Sequence, residues 1–238
     1  MRTSCKSGLA GCNAERNDGQ RAGRCTELHR WDKEMNTMQS TIVRAIKRLL
    51  VNIRIRVQAR RSPRRVMIGS ANVSQSGWVK TDIGHLNIVH EKDWARYFVK
   101  GSIDALLAEH VLEHLTMDEC RTAARNCFTF LKHGGYFRIA VPDGNFPDQE
   151  YLEHVRPMGS GPGADDHKVL YTVNTLSAVF ESAGFIVNAL EYWDANAVFH
   201  CSPWKPEDGF ILRSRWNDRR NSDQTIRYTS IILDAIKP

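Results

Sequence analysis

Two neighbouring segments constrain this chain more than any others: Ile103 to Leu115 (IDALLAEHVLEHL) and Leu131 to Asp143 (LKHGGYFRIAVPD). Ile103 to Ala108 is a short apolar run of the kind that fills the buried centre of a parallel sheet. Thr116 and Glu119 form a capping box, which satisfies the first free N–H groups of a helix. Cys120, Ala123, Ala124, Cys127, Phe128 and Leu131 then recur at helical spacing and supply one apolar face. Gly134 and Gly135 allow a left-handed turn after that helix, Tyr136 to Val141 reads as the next strand, and Pro142 stops it. A strand–helix–strand unit of this kind is right-handed, and open α/β sheets bind ligands at the carboxyl ends of their strands.

These residues resemble the second half of a class I S-adenosylmethionine-dependent methyltransferase of the broad methyltransferase-11-like group. The match runs through Asp104, His110, Val111, Leu112, Glu113, His114 and Leu115, then Leu131, Lys132, Gly134 and Gly135. His133 replaces the usual proline, where no special dihedral is needed. The likeness extends more loosely from about Val66 to the C-terminus. It implies an α/β fold: a doubly wound, mostly parallel seven-stranded sheet with an antiparallel last strand, Rossmann-like, using S-adenosyl-L-methionine as cofactor.

Composition sets the outer limits. With 238 residues and 42% hydrophobic content, one good core is expected. No apolar run is long enough to span a bilayer, and the first thirty residues have no apolar signal core. Six cysteines without framework spacing suit a reduced, cytoplasmic setting. Residues 1–65 hold 16 Lys+Arg against 5 Asp+Glu, whereas the remainder holds 17 against 22. The positive excess is therefore confined to the N-terminal part. The mildly acidic remainder argues against a nucleic-acid groove, which requires a basic face.

Three regions are expected: an N-terminal arm over 1–37, a basic amphipathic helix and linker over 38–64, and a methyltransferase-like domain over 65–238. The arm is read either as disordered or as the product of a miscalled start, with Met35 or Met38 the true beginning. Cys5, Cys12, Cys25 and His29 lack the close spacing of a zinc hairpin. Ile42, Ile46, Leu49, Leu50, Ile53 and Val57 share a helical face ringed by arginines. The first reading packs this face on the sheet edge; the second gives residues 42–57 a weak contact with an anionic membrane surface.

Strands are expected at Arg65–Ile68, Trp78–Ile83, Leu86–Val89, Phe185–Trp193 and Tyr228–Ile236. The resemblance implies that the loop of Gly69, Ser70 and Ala71 approaches the methionyl part of the cofactor, with Ala71 standing where a second glycine is usual. It implies that Asp82 accepts hydrogen bonds from the ribose hydroxyls, a task suited to a carboxylate because it is acceptor-only. Asn87 or Asp93 is expected near the adenine amino group, with Trp94 as a stacking wall or, equally, a core residue. Glu109 completes the expected cofactor set.

For chemistry, His110 is the first candidate base and His114 the second, because imidazole titrates near neutral pH; His167 enters from an opposite loop. No metal is expected, since H-E-x-x-H order is absent and a strand-to-helix junction does not keep i, i+4 geometry. Arg213 to Arg220 reads as a solvated loop or a clamp for a carboxylate or phosphate. No tetrapeptide for holding a flipped base is present, so nucleic acid is not the expected substrate. The sequence thus points to methyl transfer onto an oxygen or nitrogen of a small-molecule or glycan-type acceptor. The alternatives are a catalytically silent binding module acting through the basic helix, and a dinucleotide-dependent oxidoreductase, which lacks G-x-G-x-x-G.

Overall fold

Strand β3 (Ile103–Glu109) is apolar on both faces because it lies inside a sheet covered on both sides. It belongs to a seven-stranded sheet in a computed structural model that describes residues 18–223 and 225–238, with side chains from Thr37 onward. The chain falls into two units, Met1–Val51 and Asn52–Pro238. Helix α1 (Asp18–Gln58) begins in the first and ends in the second. In the first unit Ile42, Ile46, Leu49 and Leu50 are exposed; in the second, Ile55 near the end of α1 is buried. Residues 1–17 of the expected arm lie outside the described residues, as do the side chains of Cys5, Cys12, Cys25 and His29. Among the described residues no helix is long and apolar enough to cross a membrane.

The remaining strands are β1 (Arg65–Ile68), β2 (Trp78–Lys80), β4 (Leu131–Pro142), β5 (Ile186–Trp193), β6 (Phe199–Cys201) and β7 (Ser230–Ile236), in the order β2-β1-β3-β4-β7-β5-β6. β2, β1, β3 and β4 pair in parallel, and β7 runs antiparallel to both β4 and β5. Burial alternates with period two. Val66, Ile68, Leu106, Ala108, Phe137, Ile139, Ile231 and Leu233 join one cluster with residues of helices α3 (Met117–Phe130) and α5 (Val173–Ser182). Met67, Ala105, Leu107, Ala140 and Ile232 face the other way, against Ile211 and Trp204 of the β6–β7 connection.

Capping follows the sequence. Thr116 accepts from the Glu119 N–H in a complete capping box, and Thr172 does the same for Thr175. The irregular start of β4 explains two further matched positions. Asp104 accepts from the Arg64 N–H and pairs with Lys132, binding the starts of β3 and β4 together. A side chain at Gly135 would meet the carbonyl oxygens of Lys132 and Asp104 at 2.9 and 3.0 Å, so backbone approaches here as only glycine permits.

One expected strand does not form. Leu86–Val89 is irregular, with a turn at Ile88–Val89, because side chains rather than a neighbouring strand take its polar groups. Asp93 accepts from the Asn87 N–H, Asn87 accepts from the Val89 N–H, and the Trp94 indole and Asn126 amide donate to the Ile88 carbonyl. β2 is consequently the sheet edge and ends at Lys80, short of the expected Ile83; the seventh strand is supplied by β6, hairpinned onto β5.

Candidate active site

A cavity of about 420 Å³ opens at the carboxyl ends of β1 and β3, lined by Gly69, Asp82, Asn87, His110 and His114 among others. The two strand ends meet because β1 and β3 are paired through Ile68 and Ala108. Gly69 follows β1 with φ +61°, and a Cβ there would lie 2.5 Å from Val111 Cγ2. Backbone and Val111 thus close together with no side chain between them. Gly69→Ala is expected to lose about 1–2 kcal/mol of stability from the left-handed conformation alone, before the clash is counted. Urea unfolding checks this, and an unchanged midpoint would contradict the positive φ.

Asp82 sits at the cavity floor. Its Oδ2 accepts from the Ala71 N–H at 3.1 Å and its Oδ1 from the Ile83 N–H at 2.8 Å. An ionised carboxylate offers about four acceptor positions, so roughly half remain for a ligand. Ala71 has φ +41°, a left-handed conformation that the glycine usual in the resembled loop takes without strain. Apolar wall is provided by Leu86, Ile88, Val89 and Leu115, and charge at the rim by Glu119, Asp166 and Lys168.

Not every expected residue reaches this space. Trp94 is wholly buried and stacks on Phe130 at 5.4 Å, so it is core and not a ligand wall. Asp93 faces the Asn87 N–H and Arg96, acting on the turn and not on the cavity. Glu109 points to the other side of the sheet, where its oxygens accept from the Leu212 and Arg213 N–H groups at 3.1 and 2.8 Å. Period two decides this: neighbours Glu109 and His110 cannot share a face. Ser70 is buried, its N–H donating to the Thr81 carbonyl. Two of the 213–220 arginines are already engaged: Arg213 pairs with Glu109, and Arg220 holds Asp218 through two nitrogens while lying over the Tyr228 ring.

His110 terminates β3 with φ +54°, a sparsely populated conformation for a residue with a side chain. Its Nε2 is 3.0 Å from Ser230 Oγ, and its Nδ1 is 3.2 Å from Oε1 of Glu113. Glu113 is fully buried. Burial pushes its carboxyl upward, but the imidazoles, His110 foremost, outweigh that and hold it below the ordinary range. His110 also lines a second cavity of about 200 Å³, shared with His154, His167, Arg213, Arg220 and Tyr228. It therefore stands between the two spaces. His167, its Nδ1 held by the Val155 carbonyl at 2.7 Å, meets the His114 ring edge-on at 4.8 Å.

Ser230, Tyr228 and Lys168 are site residues that the sequence did not single out. They come from the last strand and from the loop after α4 (Gln149–Val155), far along the chain. The only local signal was Asp165-Asp-His-Lys168 at the end of a glycine-rich loop.

No family model matches the chain, and no curated protein matches it. Among solved structures it is similar to a SAM-dependent methyltransferase from Archaeoglobus fulgidus, with 15% identity over 79% of this chain and 92% of that one and a TM-score of 0.43. A SAM-dependent methyltransferase from Thermotoga maritima gives 14% identity over 88% and 99%, with a TM-score of 0.44. Phosphoethanolamine N-methyltransferase 2 of Haemonchus contortus, solved with S-adenosyl-L-methionine, gives 10% over 75% and 49%, with a TM-score of 0.40. These likenesses are weak; the sheet itself is the mostly parallel, seven-stranded α/β sheet with an antiparallel last strand, inserted between β4 and β5, that the resemblance implies.

Proposed function

We propose that this chain transfers a methyl group from S-adenosyl-L-methionine to an oxygen or nitrogen of a small-molecule or glycan-type acceptor. The observation that carries the reading is Asp82, a carboxylate with acceptor capacity to spare, facing the same cavity as Gly69 and His110. The residues suit the cofactor. Asp82 matches a ribose diol, the turns around Asn87 to Val89 suit a flat heterocycle, and the bare backbone of Gly69 suits close approach by the methionyl part. The cavity volume falls in the range of small-molecule sites, roughly 300–1,000 Å³. When bound, the cofactor supplies an electrophilic methyl group, and methyl transfer asks of the protein mainly alignment and removal of a proton.

His110 is suited to that removal. Glu113 beside Nδ1 favours a proton there, which leaves Nε2, 3.0 Å from Ser230 Oγ, as the basic nitrogen. An acceptor in the smaller cavity would present its nucleophilic atom to His110 from the side opposite the cofactor. His154, Arg213 and Arg220 line that space; with Arg213 paired to Glu109 and Arg220 to Asp218, it offers an acceptor polar donors rather than a net positive charge.

Calorimetry with S-adenosylmethionine and S-adenosylhomocysteine tests the reading: both should bind at one site, and absence of binding at millimolar cofactor would refute it in favour of a silent binding module. Asp82→Ala should weaken binding by about 1.5–3 kcal/mol, the typical value of hydrogen bonds to a charged group. Thermal melting of the variant separates this from collapse of the Ala71 turn. An unchanged dissociation constant would remove Asp82 from the site.

A further inference from the structure

One cluster is left unexplained by proton transfer at His110. Glu113 is fully buried, yet among the described residues neither carboxylate oxygen has a hydrogen-bond partner; His110 Nδ1 lies 3.2 Å from Oε1 as an ion-pair contact. Nδ1 of His114 is likewise buried without a hydrogen bond, with Asp166 Oδ2 at 3.3 Å. Buried polar groups are almost always hydrogen-bonded, so two adjacent groups that make ion-pair contacts but no hydrogen bond call for a ligand. The third member, His167, has its Nδ1 taken by the Val155 carbonyl, which directs the lone pair to Nε2. That outer hydrogen bond is the arrangement by which proteins orient a metal-binding imidazole.

We propose that Glu113, His114 and His167 bind a divalent first-row transition ion. One ligand atom from each residue lies within 4.8 Å of the others. Bonds of about 2.0–2.2 Å place tetrahedral ligand atoms about 3.4 Å apart, so the triad must contract by up to about 1.4 Å, through side-chain rotation. One carboxylate and two imidazoles form a donor set of borderline hardness, suited to Zn²⁺, Co²⁺ or Fe²⁺ and ill suited to Ca²⁺ or Mg²⁺. Three protein ligands leave positions open, as catalytic sites do and structural ones do not. His114 lines the larger cavity and His167 the smaller, so the triad spans the two. If the methyl-transfer reading holds, an acceptor oxygen could bind there; ion binding itself does not depend on that reading. The sequence concealed the site because its third ligand enters from a loop distant from the Glu113-His114 pair.

The test uses the full-length chain, stripped with chelator, with Cys5, Cys12 and Cys25 changed to serine so that thiols do not compete. Titration with Zn²⁺ by calorimetry, and with Co²⁺ by visible absorption, should show one ion per chain. Glu113→Gln and His167→Ala should each weaken binding by more than about 100-fold, beyond the 10–100-fold typical of outer-shell changes. His200→Ala, on β6 and outside both cavities, should leave it unchanged. Because Glu113 is buried and its variant can misfold, His167→Ala, in a half-buried loop, is the deciding measurement. No ion bound by the stripped chain at micromolar metal, or unaltered affinity in His167→Ala, would overturn the proposal and leave the cluster as an imidazole–carboxylate ion-pair network.

Discussion

Replacing Arg138 with methionine should lower the free energy of unfolding by about 3–5 kcal/mol, the typical cost of leaving half of a buried ion pair alone. Arg138 is only 3% exposed, and its Nε and Nη2 donate to the two oxygens of Asp234 on β7, each at 2.8 Å. Nη1 donates to the carbonyls of Lys205 and Gly209, and the guanidinium lies 5.1 Å from the Trp204 ring. One side chain therefore joins two central strands and pins the β6–β7 connection over the second face of the sheet. That connection continues to Arg213, which lines the smaller cavity, so loosening it should also disorder the proposed acceptor side. Urea unfolding gives the stability change. A loss below about 1 kcal/mol, the range of exposed pairs, would show that water reaches the pair. The double variant Arg138→Met with Asp234→Leu should recover much of the loss, because an apolar pair replaces the charged one without leaving an orphan.

The second large effect concerns acid. Asp143, fully buried at the end of β4, has its carboxyl raised by burial to about 6 despite N–H donors from Trp193 and Asn145. Between the ordinary value of 3.8 and about 6 the folded chain holds a proton that the unfolded chain has released. Its contribution to stability is therefore complete below the unfolded value and is lost as pH rises through about 6, a total of about 3 kcal/mol at 1.36 kcal/mol per pKa unit. Glu113, held low, acts in the opposite sense, favouring the fold above the ordinary carboxylate range. Comparing wild type with Asp143→Asn isolates the first: the variant should gain on wild type between about pH 4 and pH 7 by nearly the full amount. A difference independent of pH would mean that the Asp143 carboxyl is ordinary. The position bears on the site, since Asp143 joins the end of β4 to Tyr171 and Trp193 beneath the loops over the cavity.

Local rules made much of the fold legible. The capping box at Thr116, the helical spacing of Cys120, Ala123, Ala124 and Cys127 and the apolar strands on either side each rest on neighbours within a few residues. Leu86–Val89 shows where such rules stop. Its composition suits a strand, but whether it pairs depends on Asp93, Trp94 and Asn126 competing for its backbone, and Asn126 comes from a helix beyond the next strand. Trp94 shows the same limit: an indole serves a core or a ligand wall equally well, and the packing of Phe130 decides between them.

The chain's own order of residues determined a strand–helix–strand unit, a glycine turn after β1 and an acid after β2, because each is encoded in hydrophobic period and backbone freedom. Tertiary structure alone decided that His110 stands between two cavities with Ser230 behind it, that Glu109 turns away, and that Glu113, His114 and His167 converge. Those facts depend on which strand ends and loops the sheet order brings together, and no local pattern carries information about a partner fifty to more than a hundred residues away.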